Sequence, residues 1–339
     1  MPVRLKDIAN DLNLSQMTVS RVLRGHIDVS PETKARVLKR VKELNYRPNV
    51  VARSLRTGYT STMGLIVPSL RETYASELAK AVDKTIRAAG YELIVCLSED
   101  GSASEQRNVE LLLAHQVDAL LIVSIQESTT FFQGLSHKQK VPLVFINHKS
   151  PDSIDNAVFV GIREVDVGRI ATEHLISIGC RRVAYLRGPR TYIGDLRYTG
   201  FRDALRDAGL PHRPELVIDG LGAETSEYRR GFDGMLRLAS GKTRLDGLVA
   251  YTDMMAVGAM DAAQSNGIDI PKEIAVIGSG NEVRLCEMRI PLSSIDTAGY
   301  EVGQSAGRTA LRRISGAAGS GARNVLVPPK LVLRRSSTR

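Results

Sequence analysis

Apolar positions near the start of the chain recur at helical spacing, and the polar residues between them mark where each helix begins and ends. Leu5, Ile8, Ala9 and Leu12 follow the i, i+3, i+4, i+7 pattern of one helix face, which Asn13-Leu14 interrupts. Ser15 is placed to cap a second helix. Its inward face holds Leu14, Val19, Val22 and Leu23, and its outward face holds Gln16, Met17, Thr18, Ser20, Arg21 and Arg24. Ser30-Pro31-Glu32-Thr33 puts a cap residue before a proline at the first helical position. Val37, Leu38, Val41 and Leu44 supply a third apolar face, ended by Asn45 and Pro48. The first two helices, separated by so short a break, form a helix-turn-helix by pattern. Residues 49–56 give one more helical stretch, capped by Asn49 and too short to hold unless docked.

From residue 63 the rhythm changes to short apolar runs alternating with amphipathic helices. Runs at 63–67, 92–96, 119–123 and 143–146 read as buried strands, with helices at 75–89, 103–115 and 128–139 between them. A second series has strands at 183–186, 216–218, 248–251 and 275–277 and helices near 164–178, 195–208, 225–239 and 254–266. Such alternation predicts parallel sheets flanked by helices. The expected fold is therefore α/β: a helix-turn-helix headpiece followed by a body of two doubly wound lobes.

Composition adds little until charge is mapped along the chain. With 339 residues, 43% hydrophobic and 24% charged, two or three globular domains are expected. No apolar run is long enough for a membrane span and the amino-terminal residues lack a signal-peptide core, so a cytoplasmic protein is expected. Cys96, Cys180 and Cys286 are far apart and have no CxxC spacing, which predicts buried thiols without disulfide or zinc. The net charge of +9 is uneven: residues 1–60 hold twelve Lys and Arg against five Asp and Glu. A basic head on a nearly neutral body points to a polyanionic partner. In a helix-turn-helix the second helix enters the DNA major groove. There Gln16 can pair with adenine and Met17 can meet a thymine methyl, while Thr18, Ser20 and Arg21 suit the phosphate backbone. Leu55, between Arg53 and Arg56, fits a wedge between minor-groove base steps.

The ordered segments Val3-Arg-Leu-Lys-Asp-Ile-Ala, Leu14-Ser-Gln-Met-Thr-Val-Ser-Arg-Val-Leu, Val29-Ser-Pro-Glu-Thr and Leu44-Asn-Tyr-Arg-Pro-Asn-Val-Val-Ala-Arg-Ser-Leu closely resemble the LacI/GalR family of bacterial transcription regulators. The resemblance implies that Gln16 and Met17 read bases, that Thr18, Ser20 and Arg21 hold the backbone, and that Leu55 belongs to a minor-groove hinge helix. Ser15, Arg24, Asn49, Ala52 and Arg53 complete the candidate DNA-contacting set. The expected boundaries are 1–47 for the headpiece, 48–60 for hinge and linker, and 61–339 for the effector-binding and dimerisation body. The body is similar to periplasmic sugar-binding proteins, through Gly161, Glu173-His-Leu, Arg197-Tyr-Thr-Gly-Phe, Asp253-Met-Met-Ala-Val-Gly, Ile274-Ala-Val-Ile-Gly, Pro291-Leu-Ser-Ser-Ile and Pro329-Lys-Leu-Val-Leu-Arg. That likeness implies three crossings between lobes, near 162, 292 and 323. Lobe one would then hold about 61–162 and 292–323, and lobe two about 163–291 and 324–339.

Ligands of such sheets bind beyond the carboxyl ends of the strands, here between the lobes. The residues that follow predicted strands are Ser69, Tyr74, Ser124 and Asn147 in the first lobe and Arg190, Arg197, Asp253 and Asn281 in the second. Paired Asp, Asn and Arg groups beside one aromatic plate suit a sugar, and Arg197 and Asp253 match the family's effector positions best. Asp253 read alone also fits a helix cap, Tyr74 a packing residue, and Arg197 an ion pair with Asp195 or Asp253. Two departures bear on the ligand. Ser279-Gly280-Asn281 stands where many relatives carry an acidic residue, and position 222, often aromatic in relatives, is glycine, leaving Tyr74 or Tyr192 as ring platforms. Scattered histidines, no GxSxG and no complete GxGxxG give no support for a metal, a cofactor or catalysis. No leucine heptads follow the final strand, so a homodimer is expected. The reading is a DNA-binding regulator, in the repressor sense, that grips a near-palindromic operator under control of a small carbohydrate-like effector. The alternative is a cytoplasmic carbohydrate-binding or carbohydrate-modifying protein with an incidental basic head.

Overall fold

A computed structural model describes residues 3–23, 28–46, 58–71, 73–99, 101–124, 130–132, 141–147, 157–188, 190–219, 226–282, 287–316 and 324–339. Contacts divide the chain into Met1–Thr60 and Ser61–Arg339. In the first unit, α1 (Leu5–Asp11), α2 (Gln16–Leu23) and α3 (Pro31–Glu43) enclose a core of Ile8, Ala9, Val19, Val22 and Val37. Asn13 turns α1 into α2 in the left-handed region at φ 53°, which asparagine tolerates better than most residues. Ser15 Oγ then accepts the Thr18 amide at 3.0 Å, and Ser30 Oγ accepts that of Thr33 at 3.3 Å, so both expected caps form. Arg40 donates to Asp11 at 2.6 Å and Arg36 to the Leu12 carbonyl at 3.3 Å, pinning α3 against α1. Leu38, expected on the inner face, is 46% exposed. Val37, expected beside it, fills the core as read, and one position along a helix turns the next side chain by about 100°.

The second unit contains two six-stranded sheets. The first is built from β1 (Thr62–Val67), β2 (Glu92–Leu97), β3 (Ala119–Ile122), β4 (Leu143–Ile146), β5 (Ala157–Ile162) and, much later in the chain, Asn324–Val327 (β11). Its order is β11-β5-β4-β3-β1-β2, every pair parallel, with Gly64 of β1 beside Ile94 on one side and Leu120 on the other. The second comprises β6 (Val183–Leu186), β7 (Val217–Ile218), β8 (Gly247–Ala250), β9 (Ala275–Ser279), β10 (Ser293–Asp296) and Lys330–Val332 (β12), in the order β12-β10-β9-β8-β6-β7. Only β12 runs antiparallel, which departs from wholly parallel sheets at one edge.

Helices cover both faces of each sheet, so the interior strands other than β10 are apolar runs, not alternating. α4 (Thr73–Arg87) and α10 (Gly299–Ile314) cover one face of the first sheet, and α5 (Ser102–Ala114) the other. α6 (Glu164–Ser177) and α7 (Tyr192–Asp207) cover one face of the second, and α8 (Glu227–Ser240) and α9 (Asp253–Ser265) the other. The expected 128–139 helix falls largely outside the described residues, of which 130–132 are helical.

The chain crosses between the lobes after β5, after β10 and after β11. The second and third crossings therefore come later than expected. Ser293–Asp296 still belongs to the second sheet, and Asn324–Val327 still belongs to the first. The reason is local: β10 is a buried strand made mostly of polar residues, whose hydroxyls are satisfied inside the lobe. Ser293 Oγ, for example, donates to the Arg334 carbonyl at 2.8 Å.

Candidate functional site

The carboxyl ends of both sheets face the space between the lobes, and three left-handed residues, Asn147, Asn281 and Ala298, sit just past β4, β9 and β10. Asn147 Nδ2 donates to the Tyr74 hydroxyl at 2.6 Å within the first lobe. On the second lobe, Arg197 Nε donates to Glu164 Oε2 at 2.7 Å, and its Nη1 donates to the Tyr251 carbonyl at 3.1 Å and to Ser279 Oγ at 3.2 Å. Its guanidinium also lies 4.9 Å above the Tyr251 ring. Burial works against the Arg197 charge, but the Glu164 carboxylate together with Tyr251 and Tyr185 more than offsets it and leaves the pKa raised. The Tyr74 phenol is held above its usual range first by burial and then by the Glu164 charge, which acts on it from the other lobe.

Two cavities open beside this cluster. One, of about 310 Å³, is lined by Asn147, Phe159, Ile162, Glu164, Tyr192 and Leu196, among others. The other, of about 200 Å³, lies against Thr73, Tyr74, Asn281 and Asp296. Between the lobes, Glu282 accepts the Thr73 amide at 2.9 Å and the Thr73 hydroxyl, so a carboxylate from one lobe binds the first residue of α4 on the other.

Arg197 and Glu164 meet because their helices approach very closely. A methyl group on Gly168 of α6 would stand 1.9 Å from the Arg197 carbonyl oxygen, and one on Gly200 of α7 would stand 1.9 Å from that of Val165. Only bare backbone fits there.

The structure places Asn147 and Tyr192 on the larger cavity and Tyr74 on the smaller, holds Arg197 against Glu164 where it lines neither, and gives other predicted residues different surroundings. Ser69 holds Glu99 and the Arg71 amide, Ser124 donates to buried Glu105 at 2.8 Å, and Arg190 pairs with Asp219 at 2.6 Å on an exposed edge. Asp253 is 2% exposed and lines neither cavity. Its oxygens accept Ser294 Oγ at 2.6 Å and the Glu282 amide at 2.8 Å, and burial pushes its carboxyl up to about 6 against those bonds. The cap of α9 is Thr252, not Asp253. Asn281 lines the smaller cavity while bonding Asp296 at 3.1 Å and Arg334 at 2.6 Å. Arg197 pairs with Glu164 and with neither aspartate weighed for it. Glu164 was not among the expected residues; its signal is its place two residues past the crossing strand, opening a helix.

In the headpiece, Ser15, Gln16, Met17 and Arg21 are exposed, Met17 at 62%. Thr18 and Ser20 are half-buried. The Thr18 hydroxyl pairs with Ser15 Oγ at 2.9 Å and Arg21 with Asp28. Arg24, Asn49, Ala52, Arg53 and Leu55 lie outside the described residues, as do Cys286 and position 222. Among the described residues no helix is long and apolar enough to cross a membrane, and no group of His, Cys, Asp and Glu could hold a metal ion.

A helix-turn-helix unit ahead of a two-lobed body with a lined cleft defines a class, the ligand-controlled DNA-binding regulators. Residues 4–49 match the bacterial regulatory proteins of the lacI family, and residues 172–337 match the periplasmic binding protein-like domain. The HTH-type transcriptional repressor PurR of Pectobacterium carotovorum subsp. carotovorum is 32% identical over 98% of this chain and 96% of its own. Among solved structures, the lac repressor dimer bound to operator and the anti-inducer ONPF superposes with a TM-score of 0.84 at 26% identity, covering all of both chains. The transcriptional regulator CelR in complex with cellobiose gives 0.72 at 25% identity, over 98% of this chain and 99% of its own. This chain belongs to the LacI family of bacterial regulatory proteins and is a DNA-binding transcriptional repressor.

Proposed function

We propose that the chain acts in the bacterial cytoplasm as a homodimer that holds a near-palindromic operator and changes its grip when a small carbohydrate-like molecule enters the cleft. Gln16 and Met17 read base edges, and Ser15, Thr18, Ser20, Arg21 and Arg24 meet the backbone. Asn49, Ala52, Arg53 and Leu55 form the minor-groove hinge. The observation that carries the effector half of this reading is the convergence of Asn147 and Phe159 from one lobe with Glu164 and Tyr192 from the other on a cavity of about 310 Å³. That volume stands at the small end of ligand pockets. The lac repressor solved on its operator and CelR solved with cellobiose support both halves. The match over residues 4–49 favours a regulator over a carbohydrate-modifying protein, and no catalytic step is assigned.

The dimer reading has its own support. Ile94, Val95 and Leu97 on the edge strand β2 and Leu111 on adjoining α5 are each at least 37% exposed, an apolar edge that a second copy would cover. The mechanism is a population shift: a ligand that prefers one lobe arrangement favours it by its difference in affinity for the two. Selection from randomised duplexes by the full-length protein should yield a near-palindrome, and a stabilising sugar should change affinity for it at fixed salt. A protein with no sequence preference, or one whose DNA affinity ignores every ligand that stabilises it, defeats the reading.

A further inference from the structure

We propose that the first lobe carries a second DNA-contacting surface, without sequence preference, on which Lys84, Arg308, Arg312 and Arg313 hold backbone phosphates of the duplex flanking the operator. Such contacts would add to those of the headpiece and hinge and give the body a direct part in DNA affinity.

Two helices build the surface. α4 and α10 run parallel and pack on glycine: a methyl on Gly299 would meet the Tyr74 carbonyl oxygen at 2.8 Å, one on Gly303 that of Leu78 at 2.4 Å, and one on Gly307 the Thr85 side chain at 3.1 Å. The contacts advance together along both helices, so the two carboxyl ends lie side by side. Lys84 precedes Thr85 and Arg308 follows Gly307, which sets these two cations around the last of those contacts. Arg312 stands one turn beyond Arg308 on the same face, with Arg313 next to it. Lys84, Arg308 and Arg312 are exposed, and Arg313 is half-buried.

Charge along this helix pair is polarised. Glu77 and Glu301 lie in the amino halves, against the smaller cavity, and the four cations lie in the carboxyl halves. A cation in the last turn offsets the helix dipole, which by itself accounts for a charge at each end. What sets this group apart is the want of matching acids. Lys84, Arg308, Arg312 and Arg313 make no ion pair or side-chain hydrogen bond among the described residues. The acids at this end are already occupied: Asp83 and Glu92 by Arg87 at 2.9 and 3.4 Å, and Asp118 by the Ser61 amide at 2.8 Å. Unmatched cations elsewhere, such as Arg289 and Arg335 on the second lobe, share their hollow with Asp269.

Position identifies the partner. α4 joins the parallel strands β1 and β2, so it runs back along them and ends beside the strand starts. Ser61, which precedes β1, is where the chain arrives from the headpiece. Residues 47–60 span at most about 50 Å when fully extended, so DNA held by the headpiece stays within that reach of Ser61. A duplex carries one phosphate charge per about 1.7 Å of its axis, and cations that neutralise it release counterions. Lysine and arginine on a helix end suit these phosphates, which position a protein without carrying sequence.

The test compares two duplexes, the sequence recovered by selection cut to its own length and the same sequence extended on both sides, each titrated with full-length protein at several salt concentrations. Wild type should bind the extended duplex roughly tenfold more tightly in dilute buffer, with a steeper salt dependence. A variant carrying Lys84→Ala, Arg308→Ala and Arg312→Ala should bind the short duplex as wild type does and lose that gain. Its salt slope on the extended duplex should fall by about 0.9 for each phosphate contact removed. Arg289→Ala with Arg335→Ala, which removes exposed charge from the second lobe, should leave the gain in place. Sliding on longer DNA favours every variant alike, so a gain that survives in the triple variant overturns the proposal. An equal loss on both duplexes overturns it too, and a triple variant matching wild type on both leaves an acidic protein as the partner these charges fit. If selection recovers no sequence, a random duplex in the same two lengths takes its place, so this surface and the operator reading fail separately. If the triple variant does not fold, Arg308→Ala alone, at an exposed site, decides by the same slope.

Discussion

Gln16 stands on the first exposed turn of α2, and its amide is the one group there that can make a paired bond to a base. Replacing it with alanine should reduce discrimination at one operator position by about 1–3 kcal/mol while leaving the salt dependence nearly unchanged. Binding to randomised duplexes at several salt concentrations measures both, and an unaltered base preference would remove Gln16 from the reading face. Asp253 makes a second residue-scale prediction. Burial raises its carboxyl to about 6, above the unfolded value, so the folded state holds the proton more tightly. The stability this brings is complete below about pH 4 and is lost as pH rises through about 6. Wild type should therefore lose on the order of 2 kcal/mol relative to Asp253→Asn across that window, as read by denaturant unfolding at stepped pH. A constant difference would refute the assignment. The rule that ligands sit past strand ends leads from sequence to Asn147 on the larger cavity and to Tyr74 and Asn281 on the smaller. It also draws in Ser69, Ser124, Arg190 and Asp253, whose partners Glu99, Glu105, Asp219 and Ser294 lie 19 to 41 residues away. Nothing in a linear pattern shows that such side chains are already occupied.

Pairs of helices in the second lobe cross on glycine, and the same reciprocal contact occurs twice. Gly168 and Gly200 join α6 to α7, while Gly231 against Met255 and Gly258 against Tyr228 join α8 to α9, each with backbone oxygen where a methyl would stand. Gly168→Ala should force α6 from α7 and destabilise the body by about 3 kcal/mol or more, because backbone cannot yield as a side-chain tip can. An unchanged melting temperature would show that the helices part freely. Glu282 works between lobes by holding the first amide of α4. Glu282→Gln exchanges one acceptor oxygen for a donor, so the Thr73 amide should exchange hydrogen roughly tenfold faster. Equal exchange would mean the lobes stay together without this bond. Most strands and helices are readable as apolar runs and stripes, but β5, β10, α10 and β11 are not in that reading. β10 carries serines in a buried strand, β11 alternates exposed and half-buried residues at a sheet edge, and α10 replaces large apolar groups with Gly303, Ala306, Gly307 and Ala310 against α4. Each fits only because a partner distant in sequence completes it.

At the scale of the whole molecule, a dimer joined at the exposed edge of β2, as proposed above, would make association the determinant of DNA affinity. Leu97→Asp places a charge in that apolar edge and should yield monomers by sedimentation, with operator affinity reduced by at least about a hundredfold, since each half-site must then be held alone. A variant that stays dimeric would move the interface elsewhere. The two-lobed plan is legible from strand and helix alternation, whereas the return of the chain to each lobe rests on resemblance, and its crossing points shift once β10 and β11 are seen in place. That return has a consequence for how the molecule is made. The headpiece core is complete within residues 3–46, but the first sheet waits for β11 and the second for β12 and the buried hydroxyls of Ser336 and Ser337. On the ribosome, where chains mature from their amino end, the part that reads the operator is finished roughly 290 residues before the part that governs it. A message cut short would release a reader with no governor.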